Sequence, residues 1–452
     1  MTISAPPGPP VVCVDQRRVR WTRGTGVASY AQALRQSLPH AGVVAEALVD
    51  APAGPSAPPG RAWRWAAASS PWPVTTTAPA DGARMATDVF RRAQVHFDIY
   101  GRYLRLRGPS PPALMHWSYP LPLHFVGVPN LYSVLDLIPL LQPMLTPISQ
   151  TRARRLLHRL RHEAAHLVTI SETSRREIIT ALDWPADRVT NTYLAVDVAD
   201  PDLAPDLAPD LAPDLAPDSR EAAPRERASR EAAPWEAAGL RRGDYFLHVG
   251  TVERRKNIAR LVAAYRASGS TRALVLAGPD GWQAAAELAG AAGLLVAPGA
   301  PTLAAAGRPR VVRIDWLPRP ALLDLMRGAA AVLAPSLAEG FGLPALEAMA
   351  LGTPVLTSRT GAPQEIAGAG ALLVDPADVR DITAGIAALD QDAGLRATFS
   401  AAGRVRARTF TPAAYAARLA ALYGAVLDQA RPSAPGTAVE EPPPVLRSPH
   451  WS

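Results

Sequence analysis

Residues 335–358 read PSLAEGFGLPALEAMALGTPVLTS. An apolar run, AVLAPS at 331–336, leads into this stretch, and a second one, PVLTS at 354–358, closes it. Between them Pro344 suits the first turn of a helix and Gly352 its C-terminal cap. The segment is therefore a strand, a glycine-bearing loop, a helix and another strand, which is the repeating unit of a parallel sheet. Its loop, Glu339-Gly340-Phe341-Gly342, puts backbone N–H groups at a helix N-terminus, where an anion is favoured.

The same alternation extends outward in both directions. YFLHVGT (245–251) precedes a helical NIARLVAAYRAS (257–268), and RALVLAG (272–278), VVRIDWL (311–317) and a helical RPALLDLMRGA (319–329) follow. In the first half VVCVD (11–15) passes through a glycine-bearing loop into VASYAQALRQSL (27–38). ALMHW (113–117), LYSVLDLIPL (131–140) and HLVTIS (166–171) are further strand candidates. We therefore expect an α/β protein of two doubly wound, Rossmann-like domains, with the site in the cleft at the carboxyl ends of the strands.

Composition supplies the boundaries. The 452 residues suit two domains better than one. Four PDLA copies within 201–218 put a proline at every fourth position, which forbids a regular helix. We expect a flexible N-terminus at 1–10, a first domain at 11–196, a low-complexity linker at 197–240 and a second domain at 241–408. A helix over 409–430 and a disordered tail at 431–452 complete the chain, and much of 51–82 reads as a long loop.

With 47 Lys plus Arg against 40 Asp plus Glu, the formal charge is +7. That balance favours anionic partners such as nucleotides, phospholipid headgroups or nucleic acid. The arginines are spread through both halves, without a zinc pattern, an aromatic RNA-binding strand or an arginine-glycine tract, so nucleic acid is not expected. A single cysteine, Cys13, permits no disulfide framework and suits a reducing compartment. MTISAPPGPP has no basic n-region or long apolar run. The expectation is a cytoplasmic protein, with membrane contact at the inner face of the plasma membrane. Residues 151–167, TRARRLLHRLRHEAAHL, form a basic amphipathic pattern that suits either an anionic bilayer or a surface helix packed on the sheet. Trp63 and Trp65 offer interfacial contact or an acceptor-site wall.

Glu339 and Glu347 stand eight apart, one in the loop and one about a turn inside the helix. There each carboxylate can accept hydrogen bonds from sugar hydroxyls, although acids near a helix start are also ordinary surface features. With the glycines, Pro344 and the preceding strand, the segment resembles the E-x7-E signature of glycosyltransferase family 4, retaining nucleotide-sugar enzymes of GT-B architecture. HVGTVERRKN (248–257) is similar to the family's Gly-Thr turn, Gly250-Thr251, and its basic element. GTGVASYAQALRQSL (24–38) resembles its N-domain glycine loop, HLVTISETSRREI (166–178) its late N-domain strand, and APQEIAGAGALLVDP (362–376) the stretch after the E-x7-E helix. The likeness spans most of 11–196 and 243–430.

The resemblance implies a fold of two Rossmann-like domains whose parallel sheets face across a cleft, the C-terminal one holding the nucleotide sugar. Lys256 is the only lysine in the chain; it and Arg255 occupy the family's diphosphate-binding positions. Lysine offers a compact ammonium where arginine presents a wide planar fork. Backbone amides of Gly340, Phe341 and Gly342 would assist on the diphosphate, Glu347 would hold the ribose and Glu339 the transferred sugar. Gly24 and Gly26 would let the N-domain backbone approach the donor phosphates, although a simple tight turn explains them as well.

The chain departs from the family at LDLIPL (135–140), where Leu135 replaces a histidine beside the retained Asp136. His116, at the end of a preceding strand, either takes over beside the sugar or is satisfied in the cleft wall. The D-x-D strings Asp200-Pro201-Asp202 and Asp390-Gln391-Asp392 fall in the linker and a surface turn, and the histidines lack companions at ligand spacing, so no metal is expected. Pyridoxal phosphate, which a lysine carries in GT-B phosphorylases, is not expected either. The implied reaction moves a hexose, mannose from GDP-mannose in the first reading and a UDP-sugar in the second, to a lipid-linked or oligosaccharide acceptor of cell-surface polysaccharide. The Leu135 departure keeps a non-catalytic nucleotide-sugar binder in contention.

Overall fold

A computed structural model describes residues 8–17, 26–51, 72–198, 239–296 and 309–430. Gly24, Trp63, Trp65, the PDLA stretch and the tail lie outside the described residues. In the first half, strands β1 (Val11–Asp15), β2 (Val44–Ala51), β3 (Val74–Thr75), β4 (Ala83–Thr87) and β5 (Leu104–Arg107) come first. They are followed by β6 (Leu114–Trp117), β7 (Leu123–Phe125), β8 (Asn130–Ser133), β9 (His166–Thr169) and β10 (Val189–Asn191). Seven of these form a sheet in the order β10-β9-β8-β6-β1-β2-β4, and β3-β5-β7 form a small second sheet.

The second half contributes β11 (Tyr245–Val249), β12 (Ala273–Ala277), β13 (Leu295–Val296) and β14 (Val311–Ile314). To these it adds β15 (Ala331–Ala334), β16 (Val355–Ser358) and β17 (Leu372–Val374). Their order is β13-β14-β12-β11-β15-β16-β17, and every strand pair is parallel. Helices cover both faces of such sheets, which is why central strands such as ALVLA are apolar throughout and wholly buried. The chain starts at β11, winds to one side through β12 and β14, and returns to β15 on the other. The crevice between β11 and β15 is thus a topological switch point, where a doubly wound sheet leaves room for a ligand.

The last helix, Pro412–Ala430, buries Tyr415, Leu419, Leu422, Tyr423 and Val426. It lies on the first sheet's domain, where the Tyr423 hydroxyl and His116 Nδ1 are 2.8 Å apart.

One expectation changes, and one open alternative is resolved. LYSVLDLIPL is not one strand: β8 ends at Ser133, and Ile138–Leu141 is a helical turn. Asp136 Oδ1 accepts from Ile138 N at 3.0 Å, an Asx turn that bends the backbone ahead of Pro139. The basic amphipathic segment forms the helix Gln150–Glu163, but Leu156, Leu157 and Leu160 are buried in the first domain's core and leave no apolar face for lipid. Among the described residues no helix is long and apolar enough to cross a membrane.

Arg84, fully buried, donates from Nε to Glu46 Oε1 at 2.6 Å and from its Nη atoms to the carbonyls of Pro109 and Ser110. Replacing Arg84 with Met strands a buried carboxylate and is expected to cost about 3–5 kcal/mol. Urea unfolding of the variant tests this, and a loss well under 1 kcal/mol would mean that the pair is not integral to the core.

Candidate functional site

Two loops meet at the switch point. After β11 come Gly250 and Thr251, then a 3-10 turn over Arg254–Lys256 and the helix Ile258–Ser268. After β15 comes 335–342, then the helix Leu343–Ala350. Asn257 stitches them together, donating from Nδ2 to the carbonyls of Pro335 (2.9 Å) and Pro376 (2.7 Å). Leu337 N donates to Arg255 O at 2.8 Å.

Glu339 is held at this junction. One carboxylate oxygen accepts from Lys256 Nζ and from Ser336 Oγ (2.9 Å); the other accepts from Arg255 Nη1 at 2.5 Å. Arg255 also bonds Glu253 at 2.6 Å. Burial alone would raise the Glu339 carboxyl, but Arg255 and then Lys256 outweigh it and hold the group down at about 2. Gly250 (φ +150°) lies against the lysine stem: a Cβ there would sit 3.3 Å from Lys256 Cε.

Gly342 (φ +99°) caps the second helix from the left-handed region. Among the described residues, no protein acceptor takes the N–H groups of Gly340, Phe341 or Gly342. The Phe341 side chain is buried edge-on against Phe410, 5.9 Å between ring centres, so this residue offers only its backbone. Glu347 is buried one turn in, paired with Arg319 Nη1 at 2.6 Å; burial raises its carboxyl and Arg319 opposes that rise.

These groups border two cavities between the domains. The larger, about 530 Å³, is lined by Ser29, Gln32 and Gln36 on one side and by Gly250, Thr251, Trp316, Arg319 and Glu347 on the other. The smaller, about 250 Å³, brings Asp136 and Glu177 of the first domain to Ser336 and Glu339 of the second. Burial raises both the Asp136 and Glu177 carboxyls. Gly340 stands where the domains touch: a Cβ on it would lie 2.6 Å from Leu135 O and 3.2 Å from Asp136 Cβ.

Lys256, Arg255, Glu339, Glu347, Gly250, Thr251 and Asp136 thus converge on one cleft. His116 does not join them. It is fully buried, with Nδ1 2.8 Å from the Tyr423 hydroxyl and Nε2 2.9 Å from Ser133 Oγ, so neither nitrogen is available to a sugar. Gly26 opens the helix Gly26–Ser37 with open space where a Cβ would point, so the backbone does not require glycine there. Arg319, Glu177 and Trp316 were not anticipated, because nothing in RPALLDLM, SRREI or IDWL marks them by spacing. Asp390 pairs with Arg272 and Asp392 caps the next helix, which accounts for that D-x-D string. Among the described residues no group of three or more His, Cys, Asp and Glu is arranged to hold a metal ion.

Comparison with known proteins is consistent with this geometry. Residues 236–406 match the family "Glycosyl transferases group 1". The chain is 33% identical over 261 residues to O-antigen chain mannosyltransferase B of Escherichia coli, covering 56% of this chain and 59% of that one. It is 42% identical over 106 residues to MMP α-(1→4)-mannosyltransferase of Mycolicibacterium hassiacum, 23% of this chain and 26% of that one. The alignments therefore span less than two-thirds of either relative. Sucrose-phosphate synthase from Thermosynechococcus elongatus superposes with a TM-score of 0.62 at 18% identity, over 93% of this chain and 100% of that one. Anabaena HepE in complex with UDP-glucose superposes with 0.55 at 14% identity, over 92% and 99%. These likenesses show the GT-B fold.

Buried histidines should contribute to the acid limb of stability. Burial holds His116 down at about 3 and His248 at about 4. A histidine kept neutral stabilises the fold above its unfolded pKa of about 6.5, and that contribution is lost as pH falls toward the folded value. Between pH 7 and pH 5 each should cost about 2 kcal/mol. Asp15 works in the opposite sense, its carboxyl raised by burial to about 6. The measurement is therefore a difference: His116→Gln should lose less stability than wild type from pH 7 to pH 5 in urea titrations. Parallel profiles would contradict the assignment.

Proposed function

We infer, from a chain whose residues 236–406 match the group 1 glycosyl transferases, that this protein transfers a hexose from a nucleotide sugar with retention of configuration. One observation carries the reading. Lys256, Arg255 and Glu339 come from loops more than eighty residues apart and converge at the switch point beneath an interdomain cleft.

On this reading Lys256, Arg255 and the amides of Gly340 to Gly342 neutralise the diphosphate as it departs. Such fixed positive groups act where charge develops. Glu347 takes the ribose hydroxyls, exchanging its bond to Arg319. Glu339 and Asp136 face the transferred sugar. The bond from the anomeric carbon to the diphosphate oxygen breaks, its electron pair leaving with that oxygen. The acceptor hydroxyl oxygen attacks from the same face and passes its proton to the departing oxygen. The residues supply positioning and charge, and the proposed reaction calls on neither a metal nor pyridoxal phosphate.

Both relatives named as mannosyltransferases favour mannose, and GDP-mannose is the donor we propose first. A UDP-sugar is the alternative, in keeping with HepE and its UDP-glucose. The acceptor is a lipid-linked or oligosaccharide intermediate of polysaccharide assembly, presented at the inner membrane face. A second reading, a nucleotide-sugar binder without turnover, draws on the buried Leu135 and on the small cavity, whose lining includes no histidine.

Thermal melts with GDP, UDP, dTDP and ADP test the donor site. A ligand that binds only the folded protein at a hundred times its Kd stabilises by about 2.7 kcal/mol. One nucleotide is expected to raise the wild-type Tm, with the shift lost in Lys256→Ala and Glu347→Ala. No shift with any nucleotide would remove the donor site, and a shift without transfer to any acceptor would favour the binder.

A further inference from the structure

Among the described residues eleven large apolar side chains are exposed, and five of them gather at one corner of the first domain: Ile99, Tyr100, Leu141, Met144 and Ile148. Scattered singly they would be unremarked surface, but so many around one helix end mark a docking site. Leu141, Met144 and Ile148 lie on the turn and loop that feed the helix Gln150–Glu163, and Met144 is 67% exposed. Gln150 Nε2 donates to Leu140 O at 2.8 Å, fixing the loop to the helix start. Ile99 and Tyr100 end the neighbouring helix Val89–Tyr100, which Arg152 grips through Asp98 Oδ1 (3.0 Å) and Gln94 Oε1 (2.6 Å).

The one acid named at this patch, Asp98, is paired with Arg152, which leaves the remaining charge beside it positive. Arg154 and Arg155 are exposed on the first turns of the helix and form no ion pair among the described residues. Arg155 also lies over the Phe97 ring, 5.6 Å from its centre, which keeps its guanidinium at this corner. The apolar loop reaches the site as well: Leu141 and Gln142 line the small cavity that contains Glu339 and Asp136.

We propose that this corner, the 141–148 loop with Ile99, Tyr100 and the Arg154–Arg155 pair, is a docking surface for an anionic bilayer. Unpaired arginines attract the negative headgroup layer while Met144 and Ile148 enter the acyl boundary. The contact is made by the loop ahead of the basic helix, since the leucines of that helix are already buried in the core. Docked in this way, the small cavity opens at the lipid surface, where a lipid-linked acceptor would present its saccharide. That last step rests on the transfer reaction proposed above, whereas the membrane contact does not.

Co-sedimentation of the full chain with vesicles, without donor or acceptor, tests the contact separately. One set contains phosphatidylcholine alone and the other a third phosphatidylglycerol. Wild type should pellet with the anionic set only and be released by high salt. Met144→Asp with Ile148→Asp, and separately Arg154→Glu with Arg155→Glu, should each lower partitioning at least about tenfold. An unchanged Tm in both double variants confirms intact folding, and a pair that lowers it is replaced by Met144→Ser with Ile148→Ser or Arg154→Gln with Arg155→Gln. Wild type left in the supernatant with both vesicle sets overturns the proposal. So does equal binding to neutral vesicles, or variants that partition like wild type. A dimer in sedimentation velocity that the Met144 and Ile148 changes dissolve, without vesicle binding, would assign the surface to a second copy instead.

Discussion

The carboxylate of Glu339 holds two cations that the chain delivers from a different strand. Lys256 and Arg255 follow β11 and Glu339 follows β15, and the two strands are neighbours only because the sheet winds outward from its centre in both directions. A buried Lys or Arg without a counter-charge is expensive, and so is a buried Glu; together they make a stable arrangement. The next residue, Gly340, is pressed against the Leu135 carbonyl of the other domain. The ion cluster therefore fixes both the floor of the cleft and the point where the domains touch. Displacing Glu339 would loosen the two together.

Two further ties bear on that junction. Glu365, from the second domain, accepts from Glu172 N (2.7 Å), Thr173 N (2.8 Å) and Thr173 Oγ1 (2.7 Å) of the first. A carboxylate on the free amides of a helix N-terminus is favoured by both hydrogen bonding and the helix dipole. Behind the cleft, the last helix returns to the first domain, and Val196 N donates to Phe410 O at 2.8 Å. His116 belongs to this second tie. Its ring joins Tyr423 to Ser133, and Ser133 in turn joins Tyr30 at 2.7 Å. A histidine at a strand end near a cleft has the same sequence context whether it faces a ligand or a packed helix, and here a helix from three hundred residues downstream occupies the space.

The legibility of the site follows the same division. The strand–loop–helix units could be read because apolar runs, Pro344 and Gly352 act locally, and the two glutamates because a short loop and one helix turn together set their spacing. Arg319 and Glu177 could not be read, since each acquires meaning from a partner across the fold: Arg319 from Glu347, Glu177 from Asp136. The basic helix was legible only as two alternatives. Its amphipathic pattern was real, but periodicity does not say whether lipid or protein covers the apolar face, and the core does. The exposed Leu141, Met144 and Ile148 follow the run 131–140, which reads as a strand but which Asp136 turns.

On the proposed reading, the ion cluster also explains how a donor could enter at modest cost. Bringing a diphosphate to two fully hydrated cations would require stripping their water, a penalty that often cancels the attraction. Lys256 and Arg255 are already desolvated and already face an anion. A diphosphate then exchanges one negative partner for another, and Glu339 is released beside the smaller cavity that it already lines. There its carboxylate, kept ionised by the same cations, is ready to accept hydrogen bonds from sugar hydroxyls. On that reading one carboxylate serves both the two cations and the transferred sugar. That dual use requires it to stand within reach of both, in the loop after β15.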